Sequence, residues 1–158
     1  SKHLAADGDR WLVLSRVGGS HGGAGTDGAA DAGPGDGIFA EHRDAIHFTG
    51  DTCATWAMLG FEAKLSAEEG NVGIPYVSDD IGSFNGAPVK GSCGAGAGSS
   101  GAKVTPGMYA RWVQLGALQP ILRLHSNHGK RLPWEYPQPA RRAAADALRL
   151  REALVPYL

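Results

Sequence analysis

The sequence predicts a parallel α/β fold, corresponding to about half of a (β/α)8 TIM barrel. Short, continuous apolar runs alternate with segments of helical spacing, which is typical of buried parallel strands covered by helices. Each apolar run ends in polar residues, and catalytic residues of such barrels lie at the carboxyl ends of the strands. A complete barrel needs about 250 residues. A chain of 158 residues with four such runs therefore predicts about four βα units.

The predicted strands cover residues 11–14, 46–48, 74–77 and 121–124. The predicted helices cover 52–69, a segment that follows Pro106-Gly107 and ends near 118, and 139–154. Helical periodicity predicts which side chains of each helix face the core. For the three helices in order, the predicted inward residues are Trp56, Leu59, Ala63 and Leu65; Met108, Trp112 and Leu115; and Ala144, Ala147, Leu148 and Leu154. The outward residues predicted for the last helix are Arg141, Arg142 and Arg149.

Glycine is unusually frequent, with 24 of the 158 residues, about twice its ordinary share. The glycines concentrate in two segments, 18–37 and 91–102, whose other residues are mostly Ala, Asp and Ser. Such segments have too little apolar surface to offset the entropy lost on ordering. We therefore expect two flexible insertions in the barrel.

Composition argues against several classes of partner. The net charge is −1, which indicates neither a nucleic-acid footprint nor a basic membrane-binding patch. No apolar run approaches the roughly 20 residues of a membrane span. We expect Cys53 and Cys93 to be free thiols in a reducing compartment, so the predicted location is cytoplasmic.

No metal or other cofactor is predicted. His125 and His128, together with Asp79 and Asp80, could be drawn as a metal site. The two histidines lack the i, i+4 helical spacing of zinc enzymes, however, so we expect no metal there. The segment 96–101 formally matches G-x-G-x-x-G. It follows no predicted strand and opens no helix, so a dinucleotide site is not expected.

The segment 46–56, Ile-His-Phe-Thr-Gly-Asp-Thr-Cys-Ala-Thr-Trp, joins a predicted strand to a predicted helix. Asp51 follows the strand at or beside the start of the helix. Its carboxylate could cap the helix, which is worth about 1 kcal/mol. It could instead act in catalysis at the carboxyl end of the strand. On this segment alone, capping is the simpler interpretation.

Several ordered motifs resemble glycoside hydrolase family 31, the retaining α-glucosidases and α-xylosidases. Phe-Thr-Gly-Asp-Thr at 48–52 is similar to the family's segment around its general acid/base, and Ser-Asp-Asp-Ile-Gly-Ser-Phe at 78–84 to its Ser-His-Asp-Ile-Gly-Gly-Phe segment. Arg-Trp at 111–112 followed by Pro-Ile-Leu-Arg at 120–123 resembles the next helix–strand signature. The resemblance covers nearly everything outside the two Gly-rich segments. It implies that residues 1–158 form the C-terminal part of the barrel.

The resemblance implies a role for four residues. Asp51 would be the general acid/base, protonating the leaving glycosidic oxygen and then activating water. Arg16 matches the arginine that binds sugar hydroxyls, and Phe48 matches an aromatic wall of the sugar pocket. Asp79 occupies the position of the family's sugar-binding histidine. The implied partner is therefore an α-glucoside or α-xyloside, bound without a cofactor.

Three departures from the family pattern bear on function. The catalytic nucleophile, an Asp in a Trp-x-Asp-Met-Asn-Glu-like stretch, has no counterpart in the sequence. Asp79 replaces a histidine, and a low-complexity insertion separates Arg16 from His42. Because the nucleophile is missing, we expect the isolated chain to be inactive. Half a barrel also leaves two open sheet edges, so we expect the chain to be poorly stable or to self-associate. The alternative is a non-catalytic remnant or structural half-barrel.

Overall fold

The computed structural model describes residues 13–15, 45–89, 103–127 and 129–158. Three short strands belong to these ranges: β1 (Val13–Ser15), β2 (Ala45–Phe48) and β3 (Val77–Ser78). The helices are α1 (Trp56–Asn71), α2 (Pro106–Leu118) and α3 (Ala140–Leu154), with a 3-10 turn at Pro133–Glu135. Both Gly-rich segments, 18–37 and 91–102, lie outside the described residues.

The strands form a parallel sheet in the order β1-β2-β3. Strand β2 is the central strand of the three. Its Ile46 pairs with Leu14 of β1, and its Phe48 pairs with Ser78 of β3. The predicted parallel α/β arrangement is therefore present. The predicted fourth strand, 121–124, contributes one parallel bridge between Asp80 and Arg123.

The core lies mainly between α2 and α3. Trp112 and Val113 of α2 are fully buried, and Met108 is nearly so, in agreement with the predicted inward face. The Tyr109 ring stacks on Tyr136 with a centroid separation of 3.6 Å. In α3, buried alanines allow close approach to α2, and its three predicted outward arginines are exposed. Among the described residues, no helix is long and apolar enough to cross a membrane.

Helix α1 departs from the prediction in both its start and its buried face. The helix begins at Trp56, and the Thr55 hydroxyl caps it by accepting a hydrogen bond from the Met58 amide at 3.1 Å. Trp56 is 60% exposed, whereas Glu62 is fully buried. The predicted inward face is wrong for Trp56 and Ala63, which are exposed, whereas Leu59 packs against the core as predicted. Acidic residues of α1 are buried because they have polar partners inside the protein. One such contact joins Glu69 to the ring of His47 at 3.2 Å.

Gly116 of α2 allows the helix to pack closely on the segment after β3. A Cβ atom at this position would overlap Ile81 Cδ1, and Ile81 is fully buried with little room to move. We expect Gly116→Ala to destabilise the fold by about 1–3 kcal/mol through overpacking. Gly60→Ala is the matched control, because a Cβ there meets nothing within 4 Å.

The control substitution should be neutral or stabilise by up to about 1 kcal/mol, since alanine is the better helix former. Urea unfolding of the two variants beside the unsubstituted chain measures both effects. A Gly116→Ala variant as stable as the unsubstituted chain would contradict the close packing of α2 on Ile81.

Candidate functional site

Charged and aromatic side chains collect where neighbouring parallel segments end. Strand β2 ends at Phe48 and leads to Asp51, and β3 ends at Ser78 and leads to Asp80. Arg123 follows on the other side of Asp80 through the parallel bridge. Because these segments run in the same direction, their carboxyl ends form one edge of the sheet, where ligands of parallel α/β proteins bind.

The turn after β2 presents Asp51 at this edge. Gly50 lies in the turn that follows β2. Its φ of +85° is a backbone conformation that residues with a side chain rarely adopt. The Asn85 side-chain amide donates to the Asp51 carbonyl oxygen at 2.8 Å, and the Asn85 backbone amide donates to the Thr52 carbonyl at 3.0 Å. Asp51 is exposed, and it does not cap α1 because that position belongs to Thr55. The capping interpretation of Asp51 is therefore wrong.

A buried ion pair lies beside Asp51. The Arg123 guanidinium donates to Asp80 Oδ1 at 2.6 Å, with the Asp80 side chain fully buried and that of Arg123 31% exposed. The Arg123 guanidinium also lies over the Phe48 ring, 4.6 Å from its centroid. One arginine thus joins the exit of β2 to the exit of β3.

Burial raises the pKa of Asp80 to about 6, although the charges of Arg123 and His125 oppose the rise and the charge of Asp51 adds to it. Desolvation disfavours the carboxylate, and the charge and hydrogen bond of the Arg123 guanidinium help to keep the group largely ionised at neutral pH. The site therefore holds two carboxyl groups of different character, Asp51 exposed to solvent and Asp80 buried against a cation.

A second aromatic side chain borders the site. The Phe84 ring lies against His125 with a centroid separation of 5.2 Å. The Phe84 carbonyl accepts hydrogen bonds from the Ser126 hydroxyl at 3.0 Å and from the Asn127 amide at 3.2 Å. These contacts tie the loop after β3 to the segment after Arg123. His125 is exposed, so its ring borders the open side of the site.

The structure brings together only some of the residues selected from the sequence. Phe48 and Asp51 lie at the strand exits, whereas Arg16 lies outside the described residues. Asp79 is fully buried, and its Oδ2 accepts a hydrogen bond from the Trp112 indole at 3.0 Å. Its side chain is therefore directed toward helix α2, away from the edge that carries Asp51.

Sequence reasoning did not include Arg123 or His125 among the site residues. The signal was present, because His125 follows a predicted strand and Arg123 belongs to one of the family-like motifs. Within an apolar run, an arginine gives no indication of which carboxylate it meets. Arg123 pairs with Asp80 because the fold brings together two segments that are 43 residues apart in the chain.

Cys53 also differs from its predicted state. It is buried and disulfide-bonded, so the expectation of a free thiol is wrong at this position. Cys93 lies outside the described residues. Oxidation state depends on spatial pairing, which the local sequence does not encode. The cytoplasmic location stays a prediction, without the support that free thiols would lend it.

The described part of the chain contains no group of three or more His, Cys, Asp and Glu side chains arranged to hold a metal ion. The polar groups of the described site are carboxyl, guanidinium and imidazole side chains. A carboxyl group that can exchange a proton, beside a fixed cation and aromatic surfaces, suits acid–base chemistry on a hydroxyl-rich ligand.

The Asp80–Arg123 pair generates a pH-dependent prediction. Arg123→Met leaves Asp80 buried without a cation, and we expect a loss of about 3 kcal/mol near pH 7.5. A carboxyl group with a raised folded-state pKa stabilises the fold below its unfolded pKa and loses that contribution as pH rises. The defect should therefore shrink toward pH 4.5, where neutral Asp80 needs no cation.

Thermal unfolding at the two pH values measures this difference. Arg149→Met is the control, since Arg149 pairs with Asp146 at the surface. The control should change stability by less than about 0.5 kcal/mol. Equal losses for Arg123→Met at both pH values would show that Arg123 stabilises the fold through packing alone.

Comparison with known proteins agrees with the sequence motifs. The family model for the glycosyl hydrolases family 31 TIM-barrel domain matches residues 36–158. The lysosomal alpha-glucosidase of Rattus norvegicus is 32% identical over 76% of this chain and 11% of that protein. An alpha-xylosidase of Saccharolobus solfataricus is 28% identical over 75% of this chain and 15% of that protein.

A solved structure is also similar. The ER glucosidase II heterodimeric complex, consisting of the catalytic subunit and the binding domain of the regulatory subunit, matches with a TM-score of 0.58 and 28% identity. The match covers 72% of this chain and 11% of that chain. The 158 residues thus span about a tenth to a seventh of the length of these relatives. The family-model match over most of the sequence shows that the chain belongs to glycoside hydrolase family 31 and carries part of its TIM-barrel domain.

Proposed function

We propose that this chain supplies the general acid/base and part of the sugar site of an enzyme that hydrolyses α-glucosides or α-xylosides with retention of configuration. The observation that carries the proposal is the position of Asp51. It is an exposed carboxyl group at the carboxyl end of a parallel strand, beside Phe48 and the Asp80–Arg123 pair. In a chain of this family, that edge of the sheet is the expected place of the chemistry.

The proposed reaction has two steps. In the first, the protonated Asp51 carboxyl gives its proton to the glycosidic oxygen while a second carboxylate attacks the anomeric carbon, so the C–O bond to the leaving group breaks and a glycosyl ester forms. In the second, the Asp51 carboxylate takes a proton from water, and that water displaces the ester to release the sugar. Asp51 is protonated again at the end of the cycle.

The second carboxylate has to come from sequence beyond these 158 residues. No segment resembles the family's nucleophile stretch, and retaining enzymes place their two carboxyl groups about 5 Å apart. Asp80 is a poor substitute, because it is fully buried and bound to Arg123. We therefore propose that residues 1–158 form the C-terminal half of the barrel, with 18–37 and 91–102 as insertions. We also expect that the chain alone does not turn over substrate.

The other site residues are assigned by their contacts. Arg123 is held by Asp80 and covers one face of Phe48, so the pair fixes the guanidinium and the ring as one wall of the pocket. Phe84 and His125 would form a second wall. Arg16 keeps its proposed role as a sugar ligand on the strength of the family resemblance. Asp79 is excluded from the sugar-binding set, because its carboxyl group is buried on the helix side.

The role of Asp51 is tested by Asp51→Asn in the enzyme that contains both halves of the barrel. Substrates with poor leaving groups need protonation to depart, so we expect hydrolysis to fall by about 10²–10⁴-fold. Activated aryl glycosides depart with little help and should lose much less in glycosylation. Azide should restore part of the turnover, because it attacks the glycosyl ester without needing a base. Steady-state kinetics on both substrate types measures these effects.

Asp146→Asn is the matched control, because Asp146 is an exposed aspartate on α3 that pairs with two arginines of its own helix. It should leave both rates unchanged. Equal losses on the two substrate types for Asp51→Asn, without azide rescue, would rule out Asp51 as the acid/base. Absence of hydrolysis by the two-half enzyme, with both carboxylates present, would favour the non-catalytic remnant.

A further inference from the structure

Two acidic side chains lie against each other in the core, outside the site described above. Glu62 of α1 and Asp79 after β3 are both fully buried. Burial of one carboxylate without a cation is costly, and burial of two side by side costs more. The salt bridges of the described residues include neither acid, and no Lys, Arg or His is among the causes that shift the pKa of Glu62.

The donors around this pair are fewer than two carboxylates require. The Trp112 indole of α2 donates to Asp79 Oδ2 at 3.0 Å. Asp79 Oδ1 and both carboxyl oxygens of Glu62 receive no well-formed hydrogen bond from the described residues. The Thr52 hydroxyl and the Trp112 indole act to lower the pKa of Glu62, but neither forms a hydrogen bond to its carboxyl oxygens.

The Glu62 and Asp79 carboxyl groups lie within hydrogen-bonding reach of each other. Two carboxylates have only acceptors to offer each other, whereas a carboxylic acid has one O–H donor. A single bound proton therefore converts the contact from a repulsion into a charge-assisted hydrogen bond. It also halves the charge that the core has to hold.

We propose that Glu62 and Asp79 share one proton at neutral pH, and that this carboxyl–carboxylate pair fastens the exit of β3 to α1. The Trp112 indole holds Asp79 from the other side, so the pair connects α1, β3 and α2. Asp79 precedes Asp80 in the chain, and the pair therefore positions the backbone that presents Asp80 to Arg123. Glu62 and Asp79 are positioning residues, and neither touches the exposed edge of the site.

The direction of the pKa of Glu62 agrees with this arrangement. Burial, and then Asp79, raises the pKa of Glu62 to about 10 from an ordinary value of 4.5. The folded chain therefore keeps a proton that the unfolded chain releases. The stabilising contribution is complete below about pH 4.5 and declines as pH rises toward the folded-state pKa. Between these two pH values, each additional pH unit should shift the folding equilibrium about tenfold toward the unfolded chain.

Infrared spectroscopy of the 158-residue chain tests the shared proton directly. At pH 8 we expect the C=O stretch of a protonated carboxyl group, which shifts in deuterated water. Asp80 is largely ionised at this pH, since its pKa is about 6. Glu62→Gln and Asp79→Asn each replace one carboxyl group of the pair by an amide, whose N–H can donate the hydrogen bond that the shared proton supplies, so each should abolish the band. A wild-type spectrum without the band would overturn the proposal.

Thermal unfolding from pH 5 to pH 9 gives the second readout. Glu62→Gln should raise the midpoint relative to wild type by an amount that grows with pH, since the amide removes the proton linkage. Glu68→Gln is the control on the same helix, because Glu68 is exposed and pairs with Lys64 at 3.4 Å. It should leave the pH profile unchanged. A Glu62→Gln profile parallel to wild type, or a band that survives in both amide variants, would refute the shared proton. These readouts do not depend on glycoside hydrolysis.

Discussion

The contact between Asp80 and Arg123 is the constraint on which the arrangement of the site depends. It is at once a backbone bridge and an ion pair: the Ile81 amide donates to the Arg123 carbonyl at 3.0 Å, and the two side chains meet at 2.6 Å. The bridge aligns the segment after α2 with β3, and the ion pair neutralises a carboxylate that burial would otherwise protonate. Loss of the cation would therefore disturb both the sheet edge and the contact of the guanidinium with the Phe48 ring.

The parts of the fold that depend on local pattern could be predicted from the sequence. Helix α2 has an apolar stripe with Trp112 and ends at Leu118 as predicted, while it begins at Pro106, slightly earlier than predicted. Helix α3 carries alanines inward and arginines outward, as its periodicity indicates. In both helices, one face consists of apolar residues, whose burial stabilises the fold, and the other of polar residues, whose burial would cost free energy. The hydrophobic pattern therefore predicts the packing correctly.

Helix α1 could not be predicted in the same way, because its orientation depends on groups distant in the sequence. Its Trp56 and Ala63 have the spacing of an inward face, yet both are exposed while Glu62 and Glu69 are buried. Glu69 meets His47 of β2, and Glu62 meets Asp79. Both partners belong to the sheet layer. Hydrophobic periodicity assumes that acids face water, and the assumption fails where an acid has a partner inside the protein.

The adjacent acids Asp79 and Asp80 show why a family motif locates a site without assigning each of its residues. Successive side chains at a strand end point to opposite faces, so two neighbouring aspartates cannot share a direction. Asp80 is directed toward Arg123, and Asp79 toward Trp112 of the helix layer. The sequence resemblance placed Asp79 at a sugar-binding position because a match of motifs compares positions along the chain and does not show where each side chain points. The alternation of the strand directs Asp80 toward Arg123 at the sheet edge, and Asp79 is stabilised from the helix side by the Trp112 indole and by Glu62.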